Sequence, residues 1–271
     1  MPAAATLTPD AERSRPPRRR LGAGIAAAAV LALLLSGCGV MGTLAPAEPV
    51  VPVAPDAALA AGFGPDWQGV PLPGKPTTRY VPDENAGRAC LHASADRSAS
   101  MWRRKLHVDP ADLGQLRFSW KVPGLIPDAD LSNRDAEDAP VRIVLAFDGD
   151  HGRLGLRDRM LFDLAETLTG ERPPYATLMY VWDNRAPVDS VIHAARTDRV
   201  RKLVLESGPS HLKRWLEYQR DVAADFRRLY GEEPGALIGV AIMTDADNTQ
   251  SRTEAWYGPI RLTGSKGQSL F

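Results

Sequence analysis

From Gln115 to Val122 the chain alternates without a break, placing Leu116, Phe118, Trp120 and Val122 on one side and Gln115, Arg117, Ser119 and Lys121 on the other. A period of two over eight residues fits an extended strand with one buried face, and no helix reproduces it. Such a strand needs neighbours along its edges and a second layer over its apolar side. Further runs supply them. Val141–Phe147 is apolar on both faces except at Arg142, the pattern of a central strand, and Tyr175–Trp182 is similar. Arg199–Leu205 carries Val200, Leu203 and Leu205 with one slip at Lys202, and Leu237–Met243 and Glu254–Leu262 complete the set. Loops rich in Pro, Gly and Asp separate these runs, which favours a β-sandwich.

Two segments depart from the strand period. Met160, Leu161, Leu164 and Leu168 fall near helical spacing, and Gly170 followed by Pro173 ends that helix. Asp221 is placed to cap a second helix bearing Val222, Phe226, Leu229 and Tyr230 on one face, with Gly231 and Pro234 closing it. The expectation is a mainly β sandwich with two short helical insertions. A Rossmann fold is excluded, because no Gly-rich strand-to-helix turn occurs and β and α elements do not alternate.

The N-terminal region has a different composition. Arg18-Arg19-Arg20 precedes an apolar run from Leu21 to Leu35, about fifteen residues and so short of the roughly twenty that span a bilayer. Leu35-Ser36-Gly37-Cys38 follows at once and resembles the lipobox of bacterial lipoproteins, in which the Cys sulfur is alkylated and becomes the new N-terminus. The resemblance implies a signal peptide over residues 1–37, lipid on Cys38, and a membrane partner reached through that lipid. The localisation it implies is the cell envelope; Gly39, where Asp favours inner-membrane retention in enterobacteria, points to the outer membrane facing the periplasm. Residues 38–62 are rich in Pro and Ala, lack a core-forming period and read as a tether. The sandwich is expected over residues 63–262 and a short tail over 263–271.

Acidic and basic residues balance at 33 each, so no basic field argues for nucleic acid. There are two cysteines. With Cys38 lipidated, Cys90 has no partner, and its setting in Ala89-Cys90-Leu91-His92-Ala93 is that of a buried, inert thiol.

Several stretches resemble a bacterial family of unknown function, numbered 3047. They are Trp67 to Tyr80, Ser98-Ala99-Ser100, Val108-Asp109-Pro110, Phe118-Ser119-Trp120, Asp138 with Arg142-Ile143-Val144, Tyr180-Val181-Trp182, Ser207-Gly208-Pro209, and Met243 to Thr249 with the closing Trp-Tyr-Gly-Pro-Ile-Arg-Leu. The resemblance runs from about residue 63 to 262 and transfers no catalytic residues. The strand order is also similar to that of galactose-binding-like jelly rolls, with the late Ile-Gly-Val-Ala-Ile-Met-Thr and Trp-Tyr-Gly-Pro-Ile-Arg-Leu segments matching the last two strands of carbohydrate-binding modules.

The motifs of common hydrolases and metal enzymes are missing. None of the five His is followed by Glu, so there is no HExxH, and GxSxG, CxxC and P-loop patterns do not occur. The Asp245–Asn248 turn opens like an EF-hand loop, but Gln250 and Trp256 stand where Gly and Glu are required. No cofactor is expected; calcium is the cation that Asp245, Asp247 and Asn248 would suit. Asx-turn hydrogen bonding accounts for the same residues without a ligand. Asp138 shares strand parity with Arg142, so an ion pair at the strand entry is also expected. Trp182 with Asn184, and Trp256 with Tyr257, are candidates for stacking on sugar rings. The predicted ligand contacts are therefore Asp138, Arg142, Trp182, Asn184, Asp245, Asp247, Asn248, Trp256 and Tyr257.

The function expected from these residues is an envelope lipoprotein whose non-catalytic jelly roll binds a glycan or similar polar ligand. The alternatives are a carbohydrate-active enzyme using paired Asp carboxylates, and a structural lipoprotein that binds a protein partner through a sheet face.

Overall fold

The computed structural model describes residues 61–271; the expected signal peptide, Cys38 and nearly all of the tether lie outside the described residues. In chain order the strands are β1 (Trp67–Pro71), β2 (Arg79–Asn85), β3 (Arg88–Asp96), β4 (Ala99–Val108), β5 (Gln115–Lys121), β6 (Ala139–Phe147), β7 (Ala176–Asp183), β8 (Val191–His193), β9 (Val200–Ser207), β10 (Leu216–Asp221), β11 (Leu237–Asp245), β12 (Arg252–Tyr257) and β13 (Arg261–Thr263), with helices α1 (Leu156–Thr169) and α2 (Val222–Tyr230). They build a mainly β, jelly-roll-like sandwich. One sheet has seven strands in the order β1-β4-β11-β6-β7-β9-β8, and the other has five in the order β10-β5-β12-β3-β2, with β13 added beside β5. Every pairing is antiparallel except β7 with β9.

The core lies between the two sheets. Leu116, Phe118 and Trp120 of β5 point inward as their alternation requires, and Trp120 is fully buried. Phe118 stacks on Tyr180 of the facing sheet with ring centroids 5.6 Å apart. Buried aromatic and aliphatic side chains of this kind each contribute roughly 1.5–3 kcal/mol relative to exposure. Trp182, Tyr257, Phe147 and Phe226 are equally sealed.

The expected strand at Glu254–Leu262 is two strands. Gly258 and Pro259 separate β12 from β13, since Pro has no N–H for a ladder. The strands β1, β2, β3, β4, β8 and β10 are not among those expected; β1 and β2 carry Pro, and β8 is three residues long. The tail over residues 263–271 folds back onto the sandwich. Leu262 donates to the Phe271 carbonyl at 3.1 Å and accepts from Leu270 at 2.9 Å, and Leu270 and Phe271 pack against the core.

Helix α2 forms as its caps demand: Asp221 accepts from the Ala224 N–H at 2.8 Å, and Gly231 takes the left-handed conformation that ends it. Helix α1 begins four residues earlier than Met160 and buries only Phe162. Met160 and Leu168, placed by spacing on an inward stripe, are 65% and 50% exposed. Just beyond α1, Glu171 bonds Lys105 and Arg103 of β4, and these cations hold its carboxyl down to about 2.

Candidate functional site

Strands β6 and β11 are antiparallel neighbours with Ala139 opposite Asp245. That register brings the entry to β6 and the turn after β11 to one end of the sheet. Asp138, Arg142, Asp245 and Asp247 therefore converge, and carboxylate oxygens of the three acids lie within 4.8 Å of one another. Each carboxylate is already held. Asp138 accepts from the backbone N–H groups of Asn248 at 3.1 Å and Thr249 at 2.7 Å, and from the Thr249 hydroxyl at 2.6 Å. Arg142 grips Asp245 through Nε at 2.9 Å and Nη2 at 2.7 Å, and Asp245 also accepts from the Ala139 N–H. Lys75 pairs with Asp247. The partner of Arg142 is thus Asp245 rather than Asp138. Burial pushes the Asp245 carboxyl up to about 6, against the pull of Arg142.

A second buried cation stands beside this group. Lys202, the residue that breaks the alternation of β9, is fully buried and reaches Glu137 at 2.7 Å and the Leu131 carbonyl at 2.8 Å. Burial pulls its pKa down. Together these contacts tie the segment before β6 and the turn after β11 to the outer face of the seven-stranded sheet.

Of the remaining predicted residues, Asn248 and Tyr257 touch this group, the Asn248 N–H donating to Asp138 and the Tyr257 hydroxyl accepting from the Arg142 N–H at 3.3 Å, whereas Trp182, Asn184 and Trp256 make no hydrogen bond to it. Trp182 is 1% exposed and donates from Nε1 to the Gly208 carbonyl. Tyr257 is sealed, its hydroxyl bonded to the Thr244 hydroxyl at 2.8 Å and the Met243 carbonyl at 2.7 Å. Neither presents ring surface to solvent, because β7 and β12 direct both inward. Asn184 bonds the Ile126 and Ala129 carbonyls, and Asn248 bonds the Arg134 carbonyl. Trp256, next to Tyr257 on β12, points to the other face of that strand, outward from the five-stranded sheet.

Trp256 belongs to a surface row that sequence reading missed. Across four adjacent strands the register aligns Val81, His92, Trp256 and Lys121, a span of about 14 Å at ordinary strand spacing. Trp256 stacks on His92 with centroids 4.7 Å apart and planes 8° from parallel, and the Lys121 ammonium sits 5.7 Å from the indole centroid. Its Nε1 donates to Asp83 at 2.8 Å. Polar groups continue on both sides. Glu254 pairs with His92 at 3.0 Å, Lys121 bonds Asn85 at 2.7 Å, and Trp215 donates to the Asn85 carbonyl while Arg88 lies over its ring. The only sequence signal was alternation within β3 and β12, which marks a solvent face without saying that two strands would juxtapose their rings. Cys90, also on β3, is buried, and desolvation pushes its thiol up to about 11.

The model of a family described as a protein of unknown function, DUF3047, matches residues 65–261. No curated protein matches the chain. Among solved structures, the chain is similar to the family 11 carbohydrate-binding module of a cellulosomal cellulase from Clostridium thermocellum, at 12% identity and a TM-score of 0.37 over 74% of this chain and 88% of that one. It is also similar to the xyloglucanase domain of a type three effector from Sinorhizobium fredii, at 8% identity and a TM-score of 0.40 over 73% and 93%. Endoglucanase 3 of Trichoderma harzianum gives 9% identity and a TM-score of 0.38 over 74% and 90%.

Proposed function

We propose, for a chain that belongs to the DUF3047 family, a non-catalytic glycan-binding role on the outer face of the five-stranded sheet, in a lipoprotein held at the cell envelope by Cys38. The observation that carries the reading is the partly exposed Trp256–His92 stack, set in a row with Lys121 and flanked by Asp83 and Glu254. A pyranose offers an apolar face of axial hydrogens and an equator of hydroxyls. Aromatic surface suits the first, and carboxylate, amide and ammonium groups suit the second. Asp138, Asp245 and Asp247 have no place in this reading as catalytic acids. They are 1–6% exposed, and Asp138 and Asp245 are held by several donors each and Asp247 by Lys75.

The full-length protein should retain members of a glycan array, and Trp256→Ala should weaken that binding at least about tenfold, or 1.4 kcal/mol. The variant should stay folded, because Trp256 lies outside the core. Undiminished binding by a folded Trp256→Ala would remove the site from consideration.

The anchor rests on Leu35-Ser36-Gly37-Cys38. Cys38→Ser should abolish incorporation of a palmitate analogue and leave unprocessed precursor. Equal labelling of the variant would overturn the lipoprotein reading without touching the glycan site.

A further inference from the structure

At the end of the seven-stranded sheet, the segment around Ala129–Ser132 and the segment after β7 line a half-open cavity of about 260 Å³. Its walls are apolar at Ala129, Ala186 and Ile192 and polar at Asp130, Asp183 and Arg185. The walls are fixed. Asn184 donates to the Ile126 and Ala129 carbonyls at 2.6 and 3.0 Å, locking one segment to the other.

Asp183 ends β7 and is 5% exposed. Its Oδ1 accepts from the Arg185 N–H at 2.7 Å and the Ala186 N–H at 2.6 Å, which sets the orientation of the carboxylate. Its Oδ2 has no hydrogen-bond partner among the described residues, yet it is not among the polar atoms sealed from solvent. Asp183 thus lines the cavity, is nineteen-twentieths buried, and keeps one oxygen unpaired and open to solvent. Asp130 adds a second acid. Its Oδ1 takes the Ser132 N–H and hydroxyl, and those bonds, with a smaller contribution from Arg185, hold its carboxyl below the usual range. Two carboxylates face one exposed guanidinium, so the cavity carries a net negative charge.

We propose that this cavity binds a small organic ammonium ion on a short apolar body, with Asp183 Oδ2 as its acceptor. Asp130, Asp183 and Ser132 offer acceptors, Arg185 at an exposed position is the one donor-only group, and the remaining wall is alkyl. A sugar would bring many hydroxyls against Ala129, Ala186 and Ile192 and leave most unpaired, at roughly 1–3 kcal/mol for each buried group. An ammonium brings three donors and one charge, and its alkyl part meets the apolar wall. The volume lies below the 300–1,000 Å³ of drug-sized sites, which limits the body to a few carbons. This site is separate from the proposed glycan face and does not depend on it.

Three probes with the same branched alkyl end test it by amide chemical-shift titration of the full-length protein: isobutylammonium, isobutanol and isobutyrate. Saturable shifts at Arg185, Ala186 and Ile192 with isobutylammonium alone are expected. Asp183→Asn keeps the Oδ1 acceptor of the turn and replaces Oδ2 with a donor, so it should weaken that binding at least tenfold without lowering the unfolding midpoint. Arg185→Gln, at an exposed position, should tighten it severalfold by removing a like charge. If Asp183→Asn does not fold, the Arg185→Gln titration decides. Equal binding of the alcohol or the carboxylate, shifts elsewhere, no saturable shift with any probe, or indifference to the substitutions overturns the proposal.

Discussion

Arg142→Ala is expected to lower stability by about 3–5 kcal/mol, the usual cost of removing one partner of a buried ion pair. Arg142 and Asp245 are 3% and 4% exposed at their side chains, so without Arg142 a charged Asp245 would have only the Ala139 N–H to offset it, and escaping that cost requires taking up a proton. The exposed pairs of Asp96 with Arg97 and Arg252 set the contrast, since such pairs contribute about 0–1 kcal/mol. Urea unfolding of Arg142→Ala and Arg252→Ala measures both. The loss should also depend on pH. The folded wild type raises the Asp245 carboxyl to about 6, so the fold favours its neutral form, a preference fully present below the ordinary value near 4 and lost as pH rises through about 6. Without Arg142 the folded value climbs further. The deficit of the variant should therefore be largest above pH 6 and shrink as pH falls toward 5. A deficit under 1 kcal/mol, or one that grows on acidification, would contradict the role assigned to this pair.

The long runs were legible because burial imposes a period that a reader can count. Leu116 to Trp120, Val141 to Phe147 and the capped helix from Asp221 to Gly231 stand where their patterns put them. Exceptions within those patterns were informative as well. Arg142 and Lys202 each interrupt an apolar run, and both are buried cations with carboxylate partners. Their partners were not legible, because pairing depends on which strands become neighbours, and β6 meets β11 across about a hundred residues of chain. The same limit hid the surface row. His92 and Trp256 are unremarkable in their own strands and become a stack only through the β3–β12 register. The short edge strands β1 and β2 were missed for a different reason: Pro71 and Pro82 lie within them, and only unpaired edges tolerate it.

Within the acidic group, Asp138→Ala is expected to cost roughly 2–4 kcal/mol, from two opposed effects. Three carboxylates within 4.8 Å repel one another, and Asp138 is one reason the Asp245 carboxyl is raised. At an effective dielectric near 20 its repulsion with each of the two neighbouring acids is on the order of 3 kcal/mol, and Arg142 and Lys75 offset most of that sum. Against this, the substitution deletes three hydrogen bonds to an ionised acceptor, each contributing about 1.5–3 kcal/mol, and strands the N–H groups of Asn248 and Thr249. The lost bonds outweigh the relieved repulsion, and the turn after β11 should loosen. Asp247→Ala relieves similar repulsion and loses only a pair with Lys75, whose side chain is 44% exposed, so its unfolding midpoint should not fall below that of the wild type. Urea unfolding of the two variants side by side separates a structural tie from a charge reservoir. If both variants were more stable than the wild type, repulsion would dominate and the acids would be held together for a ligand. A calcium-dependent rise in the wild-type midpoint that Asp247→Ala abolished would identify that ligand as a cation and displace the reading of these carboxylates as ties.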